Sequence, residues 1–187
     1  DEVLLISRNP NVSEDVLRYL EENPSSFSLR GHNVEASIMF SDLADFTPLS
    51  ERLPPEKLTR LLNSYLTPAA ECVMKHGGYV DKYLGDGVMA VWGAPFPRPE
   101  HALNACLSAL EHLKLVEHLN WSVMQEYGVE LKVRMGIASG TVTAGNMGSD
   151  RKFQYTVIGD AVNYAARLEP LNKDLGTGII ISEATRL

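Results

Sequence analysis

Two aspartates stand where a strand pattern stops, a place where a carboxylate can be put to use as well as solvated. The run Ile38-Met39-Phe40-Ser41-Asp42-Leu43-Ala44-Asp45-Phe46-Thr47 is apolar up to Asp42 and then passes into a helix start. Asp86 stands in Gly85-Asp86-Gly87, after a second apolar run from Tyr79 to Leu84. On neighbouring strands two such acids could share a divalent cation, a hard ion that takes oxygen ligands. An aspartate at a strand end is more often a turn former or helix cap, and spacing alone leaves both open. Thr47-Pro48 reads as an N-cap hydroxyl followed by proline at the first helical position. That start would aim backbone N–H groups out of the turn beside Asp42, an arrangement suited to phosphate oxygens. Asn163 and Arg167 lie four apart on one face of a helical pattern. They could hold a sugar hydroxyl and a phosphate, or form an exposed polar face. Lys82, in mid-strand, reads most simply as a side chain reaching solvent past its neighbours.

Periodicity supplies the elements that must carry these residues. Val34 to Ser41 predicts a strand, and the unbroken Ile38-Met39-Phe40 predicts a buried central one. Pro54-Pro55-Glu56 opens a helix that runs to His76, with Leu58, Leu61, Leu62, Tyr65, Leu66, Ala69, Cys72 and Val73 as one apolar stripe ended by Gly77-Gly78. Tyr79 to Leu84 and Val88 to Trp92 form a strand-turn-strand unit around the glycines. Glu100 to Tyr127 predicts a long helix with Leu103, Cys106, Leu107, Leu110, Leu113 and Val116 as its apolar side, and its register allows a break near Asn120-Trp121. Leu131 to Ala138 alternates as a half-buried strand, which Ser139-Gly140 is expected to turn toward Val142 to Asn146. Asp150-Arg151-Lys152 reads as a mobile surface loop before a strand from Phe153 to Ile158. Gly159-Asp160 opens a helix whose apolar side is Ala161, Val162, Ala165, Ala166 and Leu168, and Ile179 to Ile181 is the last strand. This order predicts an α+β fold with helices over one face of a mainly antiparallel sheet. Residues 1–33 read as an N-terminal adaptor with a short helical pattern at Val16, Leu17 and Leu20; residues 34–187 read as one domain.

Composition narrows the class. With 187 residues and 44% hydrophobic content the chain can bury a core. A net charge of -7 and a pI near 5.2 argue against a nucleic-acid partner. A protein of this charge that handles a nucleoside triphosphate must place positive charge locally or import it as a metal ion. Cys72 and Cys106 sit in apolar helical patterns without ligand-spaced partners and read as thiols of a reducing, cytoplasmic setting. No apolar run approaches the roughly 18 residues of a membrane span. The chain begins at Asp1 and reads as a fragment.

Phe40-Ser41-Asp42-Leu43-Ala44-Asp45-Phe46-Thr47, Lys82-Tyr83-Leu84-Gly85-Asp86-Gly87 and the stretch from Tyr155 through Thr156, Asn163 and Arg167 closely resemble the class III nucleotidyl cyclase catalytic domain. Gly136-Ile137-Ala138-Ser139-Gly140 and Gly145-Asn146-Met147-Gly148 are similar to its intermediate pieces. The resemblance covers roughly Val34 to Leu187 and implies a ferredoxin-like βαββαβ core. It implies Asp42 and Asp86 as ligands of two Mg2+ or Mn2+ ions, with the Leu43 carbonyl as a further ligand. The N–H groups of Leu43, Ala44, Asp45, Phe46 and Thr47 would hold a triphosphate. Family enzymes turn a nucleoside triphosphate into its 3',5'-cyclic monophosphate, with Asn163 orienting the ribose and Arg167 stabilising charge at the α-phosphate.

Base choice follows from Lys82, a donor to adenine N1, and from Thr156, whose hydroxyl can accept from the adenine amine at a position where many adenylyl cyclases carry Asp. The implied activity is a bacterial-type adenylyl cyclase acting on ATP in signal transduction. A guanylyl cyclase and a catalytically silent nucleotide-sensing or dimerisation module are the alternatives. Threonine at 156 also resembles the subgroup with bicarbonate-responsive members, so bicarbonate is an expected activator. Lys82 and Asp86 share one hairpin, yet base and phosphates lie at opposite ends of a nucleotide. A head-to-tail homodimer with two shared sites meets that demand, with Asp42 and Asp86 from one protomer and Lys82, Thr156, Asn163 and Arg167 from the other. The resemblance further implies an upstream regulatory or membrane domain and a phosphate-contacting lysine beyond Leu187. Asp45 stands where the family often has glycine.

Overall fold

The computed structural model describes residues 31–95, 97–149 and 152–187. The adaptor helix expected around Val16 to Leu20 and the loop at 150–151 lie outside the described residues. Six strands form one sheet: β1 (His32–Leu43), β2 (Tyr79–Leu84), β3 (Gly87–Trp92), β4 (Val133–Ser149), β5 (Lys152–Ile158) and β6 (Ile179–Ile181). The order is β2-β3-β1-β4-β5, antiparallel throughout, and β6 pairs parallel with β4 beyond it. The helices are α1 (Phe46–Arg52), α2 (Pro55–Lys75), α3 (His101–Tyr127), α4 (Asp160–Leu175) and α5 (Glu183–Arg186). The βαββαβ core is the path β1, α2, β2, β3, α3, β4.

Both faces of the sheet are covered, which corrects the expectation of helices on one face. Met39 and Leu43 of β1 pack with Leu61, Tyr65 and Val73 of α2 and Ala105, Ala109 and Val116 of α3. Ala36 and Ile38, pointing the other way, pack with Ala161, Ala165 and Leu168 of α4. An unbroken apolar run in β1 requires this, since alternate residues face opposite sides of a sheet. Gly136 shows how closely α4 lies on β4: a Cβ there would stand 2.4 Å from the Glu169 nitrogen and 2.5 Å from the Ala165 oxygen.

Two further expectations fail, the first in part, for physical reasons. The expected side of α3 holds in part: Val116 is buried and Cys106 and Leu113 pack against the core, but the buried side is otherwise Ala105, Ser108, Ala109, His112 and Val123, whereas Leu103, Leu107 and Leu110 are 58%, 41% and 52% exposed. Both stripes fit a helical period. The helix packs closely against α2 and the sheet, and small residues permit that approach. It runs unbroken through Asn120-Trp121, where the Asn120 side chain accepts from Leu131 N at 2.7 Å and donates to Leu131 O at 2.8 Å. Ser139-Gly140 makes no turn either. β4 pairs with every residue of β1, Ser139 opposite Ser37 and Gly140 opposite Ala36, so a turn there would strand the N-terminal half of β1 without backbone partners.

Candidate active site

Asp42 lies in β1 one residue past the last β1–β3 pair, Ser41 with Val88, and Asp86 occupies the turn just before β3. Gly87 permits the meeting, because a Cβ on it would stand 2.4 Å from the Ser41 carbonyl oxygen. The Asp42 carboxylate acts on that of Asp86. Asp86 is pushed up to about 6, first by burial and then by Asp42, against the N–H groups of Asp86 and Leu43 that favour its charged form. At Asp86 burial and the neighbouring acid thus outweigh the N–H groups that favour its charge.

The Asp42 charge meets Arg134, which stands opposite Asp42 in the β1–β4 register. Its Nη2 donates to Asp42 at 3.0 Å, and its Nε lies 3.1 Å from Glu169 on α4. Burial and then the Asp42 charge push the Glu169 carboxyl up, opposed by Arg134. Arg134 escaped sequence reasoning because it looked like the polar side of an alternating strand; its register with Asp42 is a tertiary fact.

Among the described residues no set of three His, Cys, Asp or Glu side chains gathers as a metal cage. The donor set here is the carboxylates of Asp42 and Asp86, with the expected carbonyl ligand on Leu43, the next residue in the chain, whose side chain is buried at the end of β1. Such a set suits Mg2+ or Mn2+ held jointly with phosphate and water, since Mg2+ at phosphoryl-transfer sites typically takes one or two carboxylates. The surplus charge at Asp86 fits the same ion.

The expected phosphate loop needs two corrections. Helix α1 begins at Phe46 with Asp45 at the N-cap, two residues ahead of the Thr47 cap and Pro48 start. Asp45 is exposed, makes no side-chain cap bond and has φ of 56°, the left-handed region that Gly enters freely and Asp tolerates better than most residues. Ala44 N–H is already spent on Lys132 O at 2.7 Å, which removes it from the predicted triphosphate donors. Leu43 N–H faces Asp86. Phe46 and Thr47 start the helix, where N–H groups have no intrahelical acceptor.

A second cluster lies on β2 and β5. The register of β2 on β3 slips between Val80 and Lys82, so Asp81 is an extra residue in the strand. Bulged in this way, Asp81 and Lys82 turn to the same neighbour instead of alternating. Asp81 accepts from Thr156 Oγ1 at 2.9 Å and from Lys82 Nζ at 3.1 Å, while Lys82 Nζ is 3.5 Å from Thr156 Oγ1. Gln154 Nε2 donates to the Asp81 carbonyl at 2.8 Å, and the Tyr79 and Tyr155 rings meet at 6.4 Å. The outer part of β4 with β5 therefore curls back, so that β5 touches β2 across the sheet. Lys82 is not a free solvent-facing lysine. Asp81 was missed because period-two alternation sends it away from Lys82.

Asn163 and Arg167 are exposed on one face of α4, as spacing predicted. Arg167 lies 6.0 Å from the centre of the Tyr164 ring. Among the described residues neither forms a side-chain hydrogen bond to Asp42 or Asp86. The structure thus gathers Asp42, Leu43 and Asp86 in one corner and Lys82 and Thr156 in another, with Asn163 and Arg167 on a third, outward surface.

The model of the adenylate and guanylate cyclase catalytic domain matches residues 30–186. Adenylate cyclase 1 of Rhizobium meliloti is 40% identical over 151 residues, 80% of this chain and 23% of that protein. An adenylate cyclase of Anabaena cylindrica is 34% identical over 79% of this chain and 29% of its own length. The chain thus spans about a quarter of those relatives. The adenylyl cyclase CyaB from P. aeruginosa superposes with a TM-score of 0.77 at 36% identity, over 82% of this chain and 79% of that one. The guanylyl cyclase Cya2 does so at 0.76 and 34%, over 83% and 78%.

Proposed function

The chain belongs to the adenylate and guanylate cyclase catalytic domain family, and from that premise we propose that it is an adenylyl cyclase that converts ATP to 3',5'-cyclic AMP and pyrophosphate. Similarity does not choose the base, because adenylyl and guanylyl cyclases match about equally well. The observation that carries adenine is Lys82 Nζ beside Thr156 Oγ1 at 3.5 Å. An ammonium can only donate, so it suits adenine N1 and opposes the N1–H of guanine.

Asp42 and Asp86, with the Leu43 carbonyl, would hold two Mg2+ or Mn2+ ions. When bound, these lower the pKa of the ribose 3'-hydroxyl and neutralise phosphate charge. The 3'-oxygen attacks the α-phosphorus in line, a P–O bond to the β-phosphate breaks, and pyrophosphate carries away the electron pair. Asn163 orients the ribose so that this oxygen faces the phosphorus. Arg167 stabilises the charge that builds on the α-phosphate oxygens, an electrostatic role effective in a site closed to water. N–H groups of Phe46 and Thr47, beside that of Asp45, hold the triphosphate, while the Leu43 N–H stays on Asp86.

The site is completed by a second copy of the chain, arranged head to tail. In support, Asn163 and Arg167 point outward, away from the carboxylates they must serve. Exposed Tyr83 and Leu84 adjoin the Asp86 turn, exposed Tyr164 follows Asn163 in the chain, and Ile158 is exposed at the end of β5 just before α4, apolar surface of the kind a partner covers. Bicarbonate is proposed as an activator on the strength of Thr156 alone. The direct test incubates the protein with ATP or GTP and Mn2+ or Mg2+, with and without bicarbonate, and detects cyclic product. Cyclic AMP from ATP in excess over cyclic GTP is expected; a folded dimer that makes neither would mark a silent module.

A further inference from the structure

Asp81 is used by none of the roles above, yet it is the most enclosed carboxylate near the base-reading pair, its side chain wholly buried. Its neighbours are all donors. Thr156 Oγ1 approaches at 2.9 Å, Lys82 Nζ at 3.1 Å and Tyr79 Oη, more distantly, at 3.5 Å. Burial pushes its carboxyl up, while these three donors and the Lys82 charge hold the ionised form.

A threonine hydroxyl is ambivalent, one hydrogen and two lone pairs, and by itself would accept from the 6-amine of adenine or donate to the 6-oxygen of guanine with equal ease. Here the ambivalence is resolved. Lys82 can only donate and ionised Asp81 can only accept, so the Thr156 hydrogen must go to Asp81. What remains on Thr156 is lone-pair capacity. We propose that Asp81 is a specificity-positioning residue that turns Thr156 into an obligate acceptor, so that adenine is accepted and guanine is refused at both the N1 and the 6-position. This rests on the reading of Lys82 and Thr156 as the base site. It accounts for a threonine doing the work of the carboxylate found there in many adenylyl cyclases: the charge stands one residue behind the hydroxyl, on the bulge of β2.

Guanine would place its N1–H against an ammonium and its O6 against lone pairs. Unpaired polar groups of this kind give strong discrimination, whereas shape alone gives little.

The test measures kcat/KM for ATP and GTP with Mn2+ in the wild type, in Asp81→Asn, and in the exchanged pair Asp81→Asn/Thr156→Asp. An asparagine amide can offer either end to Thr156 and frees the hydroxyl to donate. The ATP:GTP ratio should then fall roughly ten- to a hundredfold, the scale of a lost polar discrimination. The exchanged pair, with its carboxylate at 156, should return the ratio to within about threefold of wild type, a change of less than about 1 kcal/mol. A purely structural Asp81 would lower both kcat/KM values together with the ratio unchanged, and that result overturns the proposal. If Asp81→Asn does not fold, the exchanged pair decides alone, restored ATP preference supporting the proposal and lost preference overturning it. A wild type that shows no preference for ATP defeats the base-site reading itself, a failure separate from an unchanged ratio in Asp81→Asn.

Discussion

The β2–β3 hairpin carries two aspartates five residues apart in sequence, Asp81 and Asp86, and gives them opposite lives. Asp81 is buried and saturated with donors. Asp86 is half-buried and set against a second acid, with only main-chain N–H groups in its favour. A satisfied carboxylate keeps its charge at home and can do no more than polarise a neighbour. An unsatisfied pair is poised to take charge from solution. Burial alone does not separate the acid proposed to bind cations from its neighbour; the balance of donors against like charge does.

The widest effect should come from emptying the unsatisfied corner. Asp42→Ala or Asp86→Ala is expected to cut cyclic AMP formation by roughly 10³-fold or more, the loss that follows from the proposed role of these acids as cation ligands. Circular dichroism should show the fold retained. A variant with near wild-type turnover would remove Asp42 and Asp86 from the reaction. Mixing Asp42→Ala with Asn163→Ala chains should recover activity, one intact site forming in each heterodimer while either homodimer stays inactive. No recovery in verified heterodimers rejects the shared site.

Next comes the satisfied corner. Lys82→Glu removes the proposed donor to adenine N1 and offers an acceptor to guanine N1–H, so the ATP:GTP ratio of kcat/KM should move toward GTP by about tenfold or more. An unmoved ratio would take Lys82 out of base recognition.

What could be foreseen at these corners differs for a physical reason. Asp42 and Asp86 were legible because each sits where an apolar run ends in a turn, a local event. Lys82 and Thr156 became legible through the resemblance of their motifs, although their contact joins strands at opposite edges of the sheet order. Asp81 was hidden by a bulge, which breaks the alternation from which strand faces are inferred. Arg134 was hidden by register. The core face of α3 went partly wrong because two stripes share the helical period and leucines outweigh alanines in any hydrophobic count, whereas close packing prefers Ala105 and Ala109. Ser139-Gly140 looked like a turn because turn composition is local, while the pairing demand of a twelve-residue β1 is not.

The same contrast predicts a pH effect of smaller size. Asp86, at about 6 in the folded protein, lies above the roughly 3.9 of an unfolded aspartate, so the native state binds the extra proton. Raised folded pKa in an acid means stability present at low pH and lost on the way up. In chelator, the thermal midpoint should carry a component that declines from about pH 4 to about pH 6 and levels off above, and Asp86→Asn should remove that component. Divalent metal reverses the sense, because it competes with the same proton: its affinity should rise through about pH 6. A midpoint identical in wild type and Asp86→Asn across this range would mean that the two carboxylates do not interact.

The smallest expected effect belongs to Asp45, which is exposed, left-handed and one residue ahead of the helix that should meet phosphate. Asp45→Gly removes a backbone cost on the order of 1 kcal/mol, and glycine gives part of it back through the greater freedom of its unfolded chain. Stability should therefore change by less than about 1 kcal/mol. The charge has the more telling consequence. A carboxylate within a Debye length of a triphosphate repels it, and an exposed one is screened, so Asp45→Gly should lower KM for ATP about two- to threefold at low salt and hardly at all near 0.5 M. An unchanged KM at low salt would place the triphosphate away from this loop and leave Asp42 and Asp86 to hold it with the metal alone.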